Sequence, residues 1–366
     1  MKIGIITFHR AANYGALFQA YALQKTVEKL GCYAQIIDYD CETIRKCSSA
    51  SHMVGNKLKA LARLPFQYFV RKKKLAVFEQ FIDRHLELSA RYSTMRQLVN
   101  AQREYDRLIT GSDQVWNTEC AGFDPAYFLS FVPDGVKKNA YAASFGFSDL
   151  PSSYAEEYKR RLNGFHCISV RETSGAEIIK SLLGYDVPVV LDPTLLLADE
   201  DWKSITPVLP ERKKGYILVY NVLKPVQMLH YARRLAEKKG MEILYINDET
   251  HKNFDLKHLR ALSPEGFLAL YKNADYVLTN SFHGTVFSII FKRPFLSEIE
   301  VYKNGVVEKN GRVLNLLQAL GLQQRTLAQG CQIDDAIDWC MADQKKASLR
   351  DASLRYLQGI WREENG

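Results

Sequence analysis

KIGIITFHRAANYGALFQAYALQKTVEKLGCYAQIIDY, residues 2–39, decides the fold. Its first seven residues, KIGIITF, form a β-branched run bounded by the polar HRAANYG, the mark of a buried strand. Ala16, Ala20, Leu23, Val27 and Leu30 then recur at helical spacing until Gly31 stops them. AQIIDY (34–39) makes a second strand. Strand, helix and strand in so short a span form a βαβ unit and argue a parallel sheet.

Working outward, DRLIT (106–110), NAYAASFG (139–146), HCISVRE (166–172) and VPVVLD (187–192) extend the pattern as further strands. PVLPERKKG (207–215), with two prolines and a charge cluster, reads as a hinge. The alternation then restarts with strand YILVYNV (216–222), a helix over 225–239, strand EILYIN (242–247), a helix over 264–273 and strand YVLTNS (276–281). A helix from about Gly284, strand PFLSEI and helix RVLNLLQALG complete it. The expected fold class is α/β, two Rossmann-like doubly wound domains facing a cleft. The N-terminal domain is expected over 1–206, with a basic helical insertion over about 43–90. The C-terminal domain takes 207–333, and helices over 334–366 are read as packing back across the hinge.

With 366 residues, 47% hydrophobic and 25% charged, the composition is that of a globular protein. The N-terminal apolar run is too short for a signal-peptide core, and no stretch reaches the roughly 20 apolar residues of a membrane span. Seven cysteines include no CxxC pair, so neither a zinc site nor a disulfide framework is indicated, and a reducing cytoplasmic location is expected. The net charge of +8 comes from one segment. Nine basic residues and no acidic residue lie between Arg45 and Phe78, so the overall charge gives no sign of nucleic-acid binding.

Open α/β sheets bind ligands at the carboxyl ends of their strands, where loops enter helix N-termini. NSFHG (280–284) lies at such a junction, with a histidine and a glycine inside an apolar stretch. A helix N-terminus offers unpaired N–H groups and a positive dipole end, glycine admits close approach, and Ser281 and Thr285 add hydroxyls. His283 can donate to an anion or move a proton. The same residues equally suit a helix cap or a satisfied core histidine.

Several segments, in order along nearly the whole chain, resemble the polysaccharide pyruvyl transferase family. They are ITFHRAANYGALFQAYALQ (6–24), GSDQVWN (111–117), YAASFG (141–146), SVRETSG (169–175), LDPTLLL (191–197) and NSFHGTVFSIIF (280–291). The resemblance implies a GT-B-like fold, phosphoenolpyruvate as donor and co-substrate with no further cofactor, and a sugar hydroxyl pair as acceptor. The product would be a cyclic pyruvate ketal plus phosphate. Some family members carry arginine two positions before the motif histidine, where this chain has Ser281.

Such a donor carries a phosphate and a carboxylate. Arg171 is the expected bidentate fork for one, and the turn of Ser281, Gly284 and Thr285 holds the other. His283 is the candidate for proton transfer or leaving-phosphate stabilisation, with Asp113 and Glu172 as bases. Asn13, Tyr14, Gly15 and Trp116 are acceptor-binding candidates. Bland readings stand beside these: an Arg171–Glu172 ion pair, Asp113 capping a helix, a plain helix entry at Asn13, Asp192 fixing a turn, and Trp116 in the core. The basic, aromatic 57–74 stretch suits peripheral contact with an anionic membrane and a lipid-linked acceptor, or a solvated helical pair with its aromatic face buried. The first βα turn lacks GxGxxG and no spaced ligand cluster points to a metal. Rival functions are a sugar-nucleotide glycosyltransferase and a non-catalytic glycan-binding protein on the same fold.

Overall fold

The computed structural model describes residues 1–48, 64–133, 135–212, 214–222, 224, 227–247, 256–299 and 311–362. The chain divides into two compact units. One comprises Met1–Cys47, Ile82–Leu197 and Lys346–Gly366, and the other Ser48–Phe81 and Ala198–Lys345.

The first unit is built on β1 (Lys2–Ile6), β2 (Tyr33–Ile36), β3 (Arg107–Thr110), β4 (Gly135–Ala143) and β5 (Phe165–Val170), all parallel, in the order β2-β1-β3-β4-β5. The helix Tyr14–Lys29 joins β1 to β2, so the opening βαβ unit forms as its sequence requires. Asn13 starts this helix by accepting from Gly15 and Ala16 N–H at 2.9 and 3.3 Å. VPVVLD contributes a single bridge, Val189 to Val170, instead of a strand. Trp116 is fully buried, stacked on Phe128 and packed against Phe145 and Phe165. The sugar-stacking expectation for Trp116 gives way to a core role, because its ring faces are already covered.

The second unit holds β6 (Tyr216–Tyr220), β7 (Glu242–Ile246), β8 (Lys257–Leu259), β9 (Tyr276–Thr279) and β10 (Phe295–Ser297), again all parallel, in the order β10-β9-β6-β7-β8. The helix Pro264–Asn273 has the expected bounds, started by Ser263 and a proline in its first turn. The Pro225 start expected for the next helix upstream lies outside the described residues, where Met228–Lys239 is helical. β8 was not anticipated, since its KHL carries no apolar run.

Three boundaries differ from expectation. Residues 198–206 group with the second unit because buried Trp202 packs edge-on to Phe287 at 5.0 Å and Thr206 caps its carbonyl at 2.6 Å. The insertion read over 43–90 is divided within the helix Leu64–His85. Phe66 lies beneath Arg260 of the second unit, whereas Glu87 and Ser89 bond the backbone of Ile36 beside β2. In place of several C-terminal helical segments there is one helix, Trp339–Gly359, whose later part joins the first unit. There Ser353 accepts from Leu191 N–H, Tyr356 donates to Ala140 O, and Ile360 O accepts from Arg107.

Candidate active site

In each sheet the strand order reverses once, between β1 and β3 in the first and between β6 and β9 in the second. Crevices outside the strand ends form at such switch points.

At the first, a buried polar network joins the strand ends. Gln19 from the opening helix donates to Thr7 Oγ1 at 2.8 Å and accepts from Ser112 N at 3.0 Å, while Thr7 donates to Ser112 O at 3.0 Å. Ser112 Oγ in turn lies 3.3 Å from Asp192 Oδ2, which also receives Arg171 Nη1 at 2.7 Å. Asp192 Oδ1 takes both the N–H and the hydroxyl of Thr194, so all the hydrogen bonds suit an ionised carboxylate. Arg171 lies among three acids: Asp192, Asp113 at 3.5 Å and Glu172 at 4.0 Å. Burial opposes its charge, but these carboxylates raise its pKa above the ordinary value. Glu172 Oε1 accepts from Ser144 Oγ at 2.7 Å and from Phe145 N at 3.1 Å.

Arg171, expected to fork onto the donor, is placed here against Asp192, with Asp113 and Glu172 beside it. Its side chain is 1% exposed, with Asp192 as its closest carboxylate. Asp113 is the most open member of the group, at 15%. It sits at φ 73°, a left-handed conformation that aspartate tolerates better than most residues, and its Oδ1 accepts from Gln114 N at 2.9 Å. The helix that follows is capped by Asn117, so the capping reading of Asp113 fails.

At the second switch point, β9 runs into Asn280 and Ser281 and then the helix Phe282–Ile290. Asn280 Oδ1 bridges to Val222 N, beyond β6, at 2.8 Å. Ser281 Oγ accepts from Gly284 N at 3.2 Å and caps the helix. Thr285 donates to Ser281 O at 3.1 Å and pairs with Ser297 Oγ at 2.8 Å, fully buried. The N–H of Gly284 and the hydroxyl of Thr285 are thus spent on the turn, not offered to a ligand. Gly284 also serves packing: a Cβ there would lie 2.3 Å from Thr279 Oγ1 and 2.8 Å from Tyr271 Oη. His283, in the first turn and 7% exposed, is the turn's titratable side chain, with the Phe282 ring edge-on at 5.1 Å.

The neighbouring helix start, at Met228, is already occupied. Buried Glu298, just after β10, accepts from Gln227 and Met228 N–H. Of the acceptor candidates, Asn13 remains exposed, while Tyr14 and Gly15 are buried in the first turn of their helix. Among the described residues no group of three or more His, Cys, Asp or Glu is placed to hold a metal ion.

The family model for polysaccharide pyruvyl transferase matches residues 13–297, most of the chain and both switch points. The chain belongs to that family. No curated protein matches it significantly. Among solved structures, the S. aureus MnaA–UDP co-structure is similar at 15% identity and TM-score 0.51, covering 97% of this chain and 92% of that one. A putative UDP-N-acetylglucosamine 2-epimerase from Listeria monocytogenes is similar at 12% identity and TM-score 0.50, covering 98% and 93%. E. coli heptosyltransferase WaaC with ADP-2-deoxy-2-fluoro heptose follows at 12% identity and TM-score 0.39, covering 83% and 91%. At these identities the likeness is one of fold, and it agrees with two Rossmann-like units of GT-B-like kind.

One cluster in this pyruvyl transferase family member went unread in the sequence. His9, at the end of the β1 loop, bonds Asp38 Oδ1 through Nε2 at 3.1 Å, and Arg10 grips the same carboxylate at 2.5 and 2.7 Å. Burial would raise the Asp38 pKa, but Arg10 and His9 outweigh it and hold it well below the usual range. His9 Nδ1 faces Thr7 O at 3.2 Å, so both ring nitrogens are engaged and the ring braces the β1 loop against the end of β2.

Proposed function

We propose that the chain transfers a pyruvyl group from phosphoenolpyruvate to a sugar hydroxyl pair of a polysaccharide or glycolipid precursor. The observation that carries this reading is the family match over residues 13–297. In the reaction, C3 of the enol gains a proton and becomes a methyl group, and C2 takes up cationic character. Two sugar oxygens then bond to C2 in turn while the C2–O bond to phosphate breaks. Of the two hydroxyl protons released, one balances the proton on C3 and the other leaves with phosphate.

His283 is assigned to the donor, as proton carrier or as partner of the leaving phosphate at the start of its helix. Asp113 is assigned as the base for the sugar hydroxyl, supported by its partial exposure among otherwise closed acids. Arg171 and Asp192 are positioning residues that orient Asp113, and Glu172 helps keep the guanidinium charged. Asn13 is assigned to the acceptor through its exposed amide.

Incubation with phosphoenolpyruvate and a lipid-linked glycan should release phosphate and add a pyruvate ketal mass to the glycan. Phosphoenolpyruvate at a hundred times its Kd should stabilise the protein by about 2.7 kcal/mol. Consumption of a nucleotide sugar, with phosphoenolpyruvate untouched and giving no thermal shift, would refute the proposal.

A further inference from the structure

The helix Leu64–His85 reverses the usual distribution of side chains. Phe66, Tyr68 and Phe69 are 50%, 57% and 70% exposed. At about 100° per residue, these three rings share an arc of about 160° with Lys72, Lys73 and Ala76, and all six are exposed. The opposite side buries Val70, Phe78, Phe81 and Ile82. In the first three turns the exposed arc thus carries the three aromatic rings together with Lys72 and Lys73, while the inner side there holds Gln67, Val70, Arg71 and Lys74 and becomes fully apolar only further along, at Phe78, Phe81 and Ile82. Further along, the same outer arc turns to Glu79, Gln80, Asp83 and Arg84, an ordinary solvated surface. The reading in which the aromatic face is buried is overturned by these exposures. The more N-terminal basic residues Lys57, Lys59 and Arg63 lie outside the described residues.

We propose that the first three turns of this helix dock on an anionic lipid surface. Exposed phenylalanine rings and a tyrosine with its hydroxyl suit the boundary between headgroups and acyl chains, and long lysine side chains reach phosphate while their stems stay apolar. Charge complementarity selects this occupant. From Leu64 to Phe78 the helix carries four basic residues, Arg71, Lys72, Lys73 and Lys74, and no acid, a pattern that gains from a negative surface potential. The cores of protein interfaces are depleted in lysine, and a two-fold contact with a second copy would set Lys72 and Lys73 against themselves. The proposal goes beyond the transfer reaction, and its test reads lipid binding without turnover.

The full chain is mixed with phosphatidylcholine vesicles, with and without phosphatidylglycerol, and floated through a density gradient. Recovery with the anionic vesicles alone is expected. Lys72→Glu with Lys73→Glu should lower partitioning about tenfold or more. Tyr68→Ser with Phe69→Ser should remove the binding that survives high salt, while Tm stays unchanged because these rings are exposed. Equal recovery with both vesicle types, no recovery with either, or binding indifferent to both pairs of substitutions would overturn the proposal. So would concentration-dependent self-association abolished by Phe69→Ser, which would make the face a contact between copies of the chain.

Discussion

At the scale of single residues, His283 and Gly284 are neighbours with opposite duties. His283→Ala should abolish ketal formation while leaving Tm nearly unchanged, measured by phosphate release and thermal melting. Gly284→Ala should instead cost about 1–3 kcal/mol in chemical denaturation, since the added methyl meets Thr279 Oγ1 and Tyr271 Oη. Asp192→Asn should cost about 3–5 kcal/mol, because it removes the closest counter-charge from the buried Arg171 guanidinium. The presence of a histidine at a strand-to-helix junction was legible in the sequence. The inward commitment of Gly284 and Thr285 was not, because it depends on Thr279, Tyr271 and Ser297, brought close only by folding.

At the scale of elements, what could be read locally was read. The helix starts at Asn13, Ser263 and Ser281 carry their capping side chains in the sequence, and β1, β6 and β9 are continuous apolar runs. β8 escaped because three residues with a lysine and a histidine show no period. The grouping of 198–206 with the second unit escaped because it is set by one tryptophan against Phe287, not by the prolines at 207 and 210. Asn117 should behave as a plain cap. Asn117→Ala is expected to cost about 1 kcal/mol, read by urea denaturation, with activity retained once folded.

At the scale of the molecule, the Asp38 pair gives stability a defined acid dependence. A carboxyl held below its unfolded value contributes stability that is complete above about pH 4 and lost as pH falls through the folded value. Asp38→Asn should cost about 3 kcal/mol at neutral pH, and its deficit relative to the unsubstituted chain should shrink steadily as urea denaturation is repeated below pH 4. This pair spans 29 residues between His9 and Asp38, and no spacing rule announces it. The two parallel sheets, by contrast, followed from the alternation of elements alone.

Glu298 bears on which anions the second sheet will admit. It supplies the helix start at Met228 with an internal counter-ion, so a nucleotide diphosphate arriving there would have to evict a buried carboxylate and surrender its bonds to two backbone amides.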